Sequence, residues 1–268
     1  MVITSKDNPN IKLLTKLLTS KKARNESGMF VLEGVRICVD TIGESLNDNM
    51  EIVAFFYTQE AEEKYIDYLN KSWIKDLDET KMFCITNELA NKISSENTSQ
   101  GVFVIAKKIH KLLTKNEINP QGKYVILNHL QDPGNVGTML RTCDAVGAEG
   151  VILTNNCCDL YNPKVVRSTM GSLSRVNIFI ENDFEVVCEI LKEKNITTMA
   201  AVVGDGASVV DKNFNIPCAV VIGNEGNGLS EEDVKLCDCK ITIKMNGNIN
   251  SLNAAMAGTI IMWEMFRK

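Results

Sequence analysis

Histidine is scarce in this chain: His110 and His129 are the only two in 268 residues. That leaves little for a Ser-His-Asp triad or a multi-histidine metal site. Hydrophobic runs are short too. The longest, Ile52 to Tyr57, has six residues, against the ~20 that a bilayer-spanning helix needs. No C-x2-C pair and no following His-x3-His occurs among the nine cysteines, which removes the usual zinc frameworks. An odd, scattered cysteine set reads as free thiols in a reducing compartment. The opening residues show no charged, apolar, then small-residue pattern. The expectation is a soluble cytoplasmic protein with no metal and no membrane partner. No G-x4-G-K-[ST] loop is present. Gly204-Asp-Gly206 lacks the third glycine of a dinucleotide fingerprint, since position 209 is valine, so a Rossmann nicotinamide site is disfavoured.

What is present is ordinary globular composition, 44% hydrophobic and 24% charged, in a length that suits two domains at ~150 residues each. The net charge of −5 argues mildly against nucleic acid, but the charge is unevenly placed. Residues 1–28 carry Lys6, Lys12, Lys16, Lys21, Lys22 and Arg24 against Asp7 and Glu26, a local +4. Residues 107–123 carry another +4. Such patches dock phosphates locally.

The periodicity alternates between strand and helix. Ile11 to Lys22 reads as one amphipathic helix with a basic outer face, opened by Asn8-Pro9. Strands are expected near Met29–Glu33, Ile52–Tyr57 and Val102–Ala106. After a linker at 107–121, strands follow at Tyr124–Leu127, Val151–Thr154, Asn177–Ile180, Thr198–Val203, Cys218–Gly223 and Ile241–Lys244. Helices are expected at Val136–Val146, at Asp183–Lys194 and, capped by Ser251, at Leu252–Phe266. The pattern implies an α/β protein: a small N-terminal α/β domain at 1–106 and a mainly parallel sheet within 122–268.

Three segments combine a strand end, a polar loop and a helix start: Asp132-Pro-Gly-Asn-Val-Gly-Thr-Met-Leu-Arg141, Val220-Val-Ile-Gly-Asn-Glu-Gly-Asn-Gly-Leu-Ser230 and Ile241-Thr-Ile-Lys-Met-Asn-Gly-Asn-Ile-Asn-Ser-Leu-Asn253. In open α/β sheets, ligands bind at such strand ends. Each loop alone is also explained by ordinary capping. Capping does not explain four asparagines, Asn246, Asn248, Asn250 and Asn253, in one loop.

Taken in order, Asn135-x-Gly137-x3-Arg141, Gly223-Asn-Glu225-x-x-Gly-Leu229 and Ser251-Leu-Asn253 resemble the three motifs of the SpoU/TrmH family. This family belongs to the SPOUT class of RNA 2′-O-ribose methyltransferases. Val166-Arg-Ser-x-Met-Gly171 fits the same pattern. Ser5-x2-Asn8-x2-Ile11, Arg24 and Phe30-Val-Leu-Glu-Gly34 resemble the family's N-terminal substrate-binding domain. The resemblance implies a C-terminal trefoil-knotted α/β domain, which general connection rules would not suggest. It also implies S-adenosylmethionine as cofactor, a homodimer, and a structured RNA substrate, ribosomal in preference to transfer RNA. By motif position, Gly223, Ile243 and Leu252 would hold the adenosine, with Val202, Asn224 and Met245 lining the pocket. Asn135, Arg141, Glu225, Ser251 and Asn253 would form the catalytic set, with Arg141 binding a phosphate and orienting the hydroxyl. Lys21, Lys22, Arg24 and Arg36 would contact RNA. A non-catalytic RNA-binding protein that keeps the fold is the alternative.

Overall fold

A computed structural model of the chain describes residues 2–43, 50–69, 77–154 and 156–267. It forms two compact units, one of Met1–Ile109 with Asp159–Arg175 and one of His110–Cys158 with Val176–Lys268. The sequence reading drew one boundary, at 107–121; by contacts the chain also leaves the second unit for residues 159–175 and then returns to it.

The first unit runs β1 (Val2–Ile3), α1 (Pro9–Thr19), α2 (Lys21–Ser27), β2 (Met29–Glu33), α3 (Val35–Gly43), β3 (Ile52–Tyr57), α4 (Gln59–Lys64), α5 (Ile66–Leu69), β4 (Met82–Ile85), α6 (Asn87–Ile93) and β5 (Val102–Lys107). Its sheet has the order β1-β4-β3-β5-β2, with β5 antiparallel to both neighbours and the other pairs parallel. Ile11, Leu14, Leu17 and Leu18 of α1 pack with Phe56, Phe103 and Ile105 of the sheet and with Leu89 and Ile93 of α6. Each such side chain contributes about 1.5–3 kcal/mol on burial.

The expected single helix over 11–22 is two helices. Ser20 is extended, and its hydroxyl accepts the Ala23 N–H, so it ends α1 and caps α2. A serine that can satisfy a backbone donor from outside the helix competes with helix continuation. The break turns Arg24 inward, which corrects its assignment as an RNA contact. Arg24 is 3% exposed. Its Nε and Nη2 donate to one oxygen of Asp159 at 2.9 and 2.7 Å, and Nη1 donates to Leu17 O at 2.6 Å. A guanidinium so occupied holds residues 159–175 onto α1 and α2 and is closed to a phosphate.

The second unit begins with β6 (Lys111–Leu112), β7 (Lys123–Leu127), α7 (Pro133–Val146) and β8 (Gly150–Leu153). The excursion 159–175, with α8 (Pro163–Ser168), follows. Then come β9 (Ile178–Ile180), α9 (Phe184–Glu193), β10 (Thr197–Ala201), β11 (Ala207–Ser208), β12 (Cys218–Ile222), α10 (Glu231–Leu236), β13 (Cys239–Thr242) and α11 (Ala254–Phe266). The supposed linker therefore supplies an edge strand, β6, paired to β9. The sheet order is β11-β13-β10-β12-β7-β8-β9-β6, and every pairing is parallel. β7 and β12 lie side by side at the centre: β8 and β9 build outward from β7 on one side, and β10 to β13 all lie on the other. That is a topological switch point.

All five residues of β12 are buried, as a strand covered on both faces requires. One face packs Tyr124, Ile126, Ile152, Ala219 and Val221 against α9. On the other, α11 crosses α7 closely at Gly258, where a Cβ would lie 2.5 Å from Met139 Cε. β13 ends two residues before the expected Lys244, so Ile243 to Met245 belong to the following loop.

Candidate active site at the strand ends

The loops after β7 and β12 meet at the switch point. Gly223 follows β12, and a Cβ there would lie 2.4 Å from the Gly228 carbonyl carbon. Only glycine lets the loop close this tightly. Asn224 and Gly228 exchange both backbone hydrogen bonds, 3.0 and 2.9 Å. Glu225 then sits at the tip. Its carboxylate accepts from Gln131 N (3.1 Å), Asp132 N (2.8 Å) and Asn135 Nδ2 (3.0 Å). Asn224 Nδ2 donates to His129 O at 3.0 Å. His129 itself has φ of 60°, an uncommon backbone state for a non-glycine residue.

The third segment joins through Asn135. Asn253 Nδ2 donates to Asn135 Oδ1 at 3.0 Å, and Asn253 Oδ1 accepts from Ala255 N and Met256 N. The amide orientations follow by necessity. An ionised carboxylate only accepts, so Asn135 turns its NH2 to Glu225 and its oxygen to Asn253. Asn253 spends its oxygen on two helix N–H groups, so its NH2 faces Asn135. Asn253, not Ser251, caps α11. Ser251 is exposed in the loop before it. Burial pushes the Glu225 carboxyl up in pKa, but the hydrogen bonds from Asn135, Asp132 and Gln131 outweigh it and hold the group below the ordinary glutamate value.

Beside this hub lies a cavity of about 680 Å³ at the ends of β10 and β13, within the ~300–1,000 Å³ of small-molecule sites. Val202, Ile243, Met245 and Leu252, which the resemblance assigned to the cofactor, line it. Gly223 and Asn224 do not; they build the neighbouring hub. Thr242, Asn246 and Asn250 also line the cavity and were not among the assigned residues. The crowded asparagines of that loop were the available signal. Among the described residues, 243–252 make no backbone hydrogen bond, so their N–H and C=O groups are free to meet a ligand. Apolar side chains with unpaired backbone donors and acceptors suit an adenosine: a flat base between aliphatic walls, its polar edge read by main chain. Among the described residues, Lys244 is the one charged residue in the lining.

Arg141 is not part of the hydrogen-bonded hub. It is exposed on α7 and has no ion pair or hydrogen bond among the described residues. On the adjoining α11, Met256, Ile260 and Trp263 are 64%, 41% and 64% exposed, so they are not core of this chain. Of the RNA candidates, Lys21 and Lys22 are exposed, and Arg36 is exposed and paired with Asp40 at 3.3 Å. Among the described residues, no group of three His, Cys, Asp or Glu could hold a metal ion, and no helix is long and apolar enough to cross a membrane.

An all-parallel α/β sheet with a strand-end cavity and a polar hub at its switch point defines a small-molecule-dependent α/β enzyme class. The comparisons narrow it. Residues 122–263 match the SpoU rRNA Methylase family, and residues 8–104 match the MRM3-like substrate binding domain. The chain belongs to the SpoU rRNA methylase family. It is 29% identical over 275 residues to the 23S rRNA (uridine(2479)-2′-O)-methyltransferase of Streptomyces viridochromogenes, covering 99% of this chain and 92% of that one. It is 28% identical to rRNA methyltransferase 3, mitochondrial, of Xenopus laevis, covering 96% and 74%. It superposes on the AdoMet-bound rRNA methyltransferase of Sinorhizobium meliloti with a TM-score of 0.83 at 26% identity, covering 100% and 97%.

Proposed function

We propose that this chain is an S-adenosylmethionine-dependent RNA 2′-O-ribose methyltransferase whose substrate is ribosomal RNA. The observation that carries the reading is the juxtaposition of the 680 Å³ cavity with the Glu225–Asn135–Asn253 hub. When bound, S-adenosylmethionine supplies a methyl group activated by its sulfonium. Val202, Ile243, Met245 and Leu252 would hold the adenosine, and the free backbone groups of the 243–252 loop would read its polar edge. The hub fixes the loops after β7, β12 and β13 relative to one another, which is the protein's contribution to in-line geometry. Arg141 would bind the phosphate next to the target ribose with its planar fork and orient the hydroxyl. A guanidinium offers donors and no acceptor, so the hydroxyl proton leaves to that phosphate or to water.

Two further parts of the proposal concern assembly and place. A second copy would cover Met256, Ile260 and Trp263, an exposed apolar stripe at helical spacing on α11. The unengaged Arg141 on the adjoining helix supports a site completed in that homodimer. Nine free thiols support a reducing, cytoplasmic setting. The test is methyl transfer from labelled S-adenosylmethionine to an unmodified ribosomal RNA transcript, followed by digestion to nucleosides. A 2′-O-methylnucleoside is expected; label on a base, or none in ribosomal RNA and some in transfer RNA, would overturn the assignment at that level.

A further inference from the structure

The excursion 159–175 belongs by sequence to the methylase region and by contacts to the first unit. Tyr161 packs tilted against Phe30, 4.6 Å between ring centroids and 49° between planes, its hydroxyl accepts Ile109 N–H at 2.9 Å, and Asp159 takes Arg24. Anchored this way, α8 and its exit help line a cleft of about 270 Å³. Arg167 and Met170 line it together with Gly34, Arg36, Ile37 and Glu96.

Three properties of the cleft point the same way. First, it is electrically balanced: Arg36 and Arg167 face Glu33 and Glu96. Arg167 is ion-paired to Glu96, and Glu33 is consumed by Ser94 and Ser95. A phosphate gains little there. Second, Ile37 and Met170 give it an apolar lining, and its volume lies just under the ~300–1,000 Å³ of drug-sized pockets, a size for one flat ring system. Third, Met170 is 39% exposed and has φ of 50°. A bulky apolar side chain is held out at the cleft in a backbone state that disfavours it.

We propose that this cleft, assembled from the substrate-binding domain and the 159–175 excursion, takes one unstacked nucleobase of the RNA, between the Met170 side chain and the guanidinium planes of Arg36 and Arg167. The proposal deepens the reading above and rests on it. Guanidinium planes held by carboxylates stack on bases, and single-stranded bases are how proteins read RNA.

The test compares the full-length chain with Met170→Gly and Arg36→Met, binding an unmodified large-subunit ribosomal RNA transcript across a salt series. Glycine relieves the positive φ, so Met170→Gly keeps or raises stability while removing an apolar side chain from the cleft. Affinity is expected to fall at least about fivefold, the low end of what stacking one base is worth. The slope of affinity against salt is expected to stay unchanged for Met170→Gly, because no phosphate contact is lost. Photo-crosslinking with 4-thiouridine in the transcript is expected to label peptides holding residues 34–37 and 165–171. Unchanged affinity in both variants, or crosslinks confined to other peptides, would overturn the cleft while leaving methyl transfer intact. A wild-type chain that binds S-adenosylmethionine but no RNA would overturn both.

Discussion

Asn135→Asp tests the hub most sharply, because it keeps the shape and inverts one interaction. Asn135 Nδ2 lies 3.0 Å from Glu225 Oε1. The substitution replaces that donor with a carboxylate oxygen. Two unit charges 3.0 Å apart repel by about 1.4 kcal/mol at the dielectric of water and about 5.5 kcal/mol at an effective value of 20. Glu225 is largely exposed, so the lower figure governs, and the lost charge-assisted hydrogen bond adds about 1.5 kcal/mol. The variant should lose about 3 kcal/mol at pH 8, a fall of roughly 6–12 °C in Tm.

The pH dependence gives the refutation. In the wild type, the lowered Glu225 pKa contributes stability above the unfolded glutamate value, and that stability is lost as pH falls through the folded pKa. In Asn135→Asp the carboxyl pair holds a proton at raised pKa, so its penalty is present at high pH and relieved on acidification. The Tm gap from wild type should therefore shrink between pH 8 and pH 5, followed by circular dichroism melts in low salt. Asn135→Ala, which lacks the charge, should show a gap independent of pH over the same range. An Asn135→Asp gap that is absent, or that does not shrink with acid, would refute the assigned Glu225–Asn135–Asn253 network.

Other consequences follow from the same geometry. Arg24→Ala removes the cation from a nearly buried ion pair with Asp159, whose side chains are 4% and 10% exposed; chemical denaturation should show a loss of about 3–5 kcal/mol, while the salt slope of RNA binding stays as in wild type. Gly223→Ala forces the loop after β12 apart and should abolish S-adenosylmethionine binding measured by calorimetry. Arg141→Lys should lower turnover at least about tenfold without changing cofactor affinity, since ammonium lacks the bidentate fork. Trp263→Glu should shift the chain to monomer in analytical ultracentrifugation and depress methyl transfer together.

The three motif loops were legible because each joins an apolar strand to a capped helix start. The start of α7 was placed too late: the helix expected from Val136 begins at Pro133, where Asp132 caps it and proline takes the first helical position. The choice between Ser251 and Asn253 was not legible, because either can cap. It was decided by β13 ending at Thr242 and by Asn135 holding the amide end of Asn253. Arg24 was misread for a similar reason: its partner, Asp159, is 135 residues away, and local charge cannot tell a surface cation from a buried one. The assignment of 159–175 to the first unit depends on that same pair and on Phe30–Tyr161, neither visible to periodicity. Short strands such as β1 and β4 escaped because two to four residues carry too little pattern.

Methyl transfer by this chain depends first on the cavity beside the hub being the methyl donor's site. Equilibrium dialysis of the wild-type chain and Ile261→Trp against labelled S-adenosylmethionine tests it, because Ile261 lines that cavity and an indole would fill it. Saturable binding by the wild type, lost in Ile261→Trp with the fold intact by circular dichroism, is the expected result. No binding by the wild type, or equal binding by both, would contradict it.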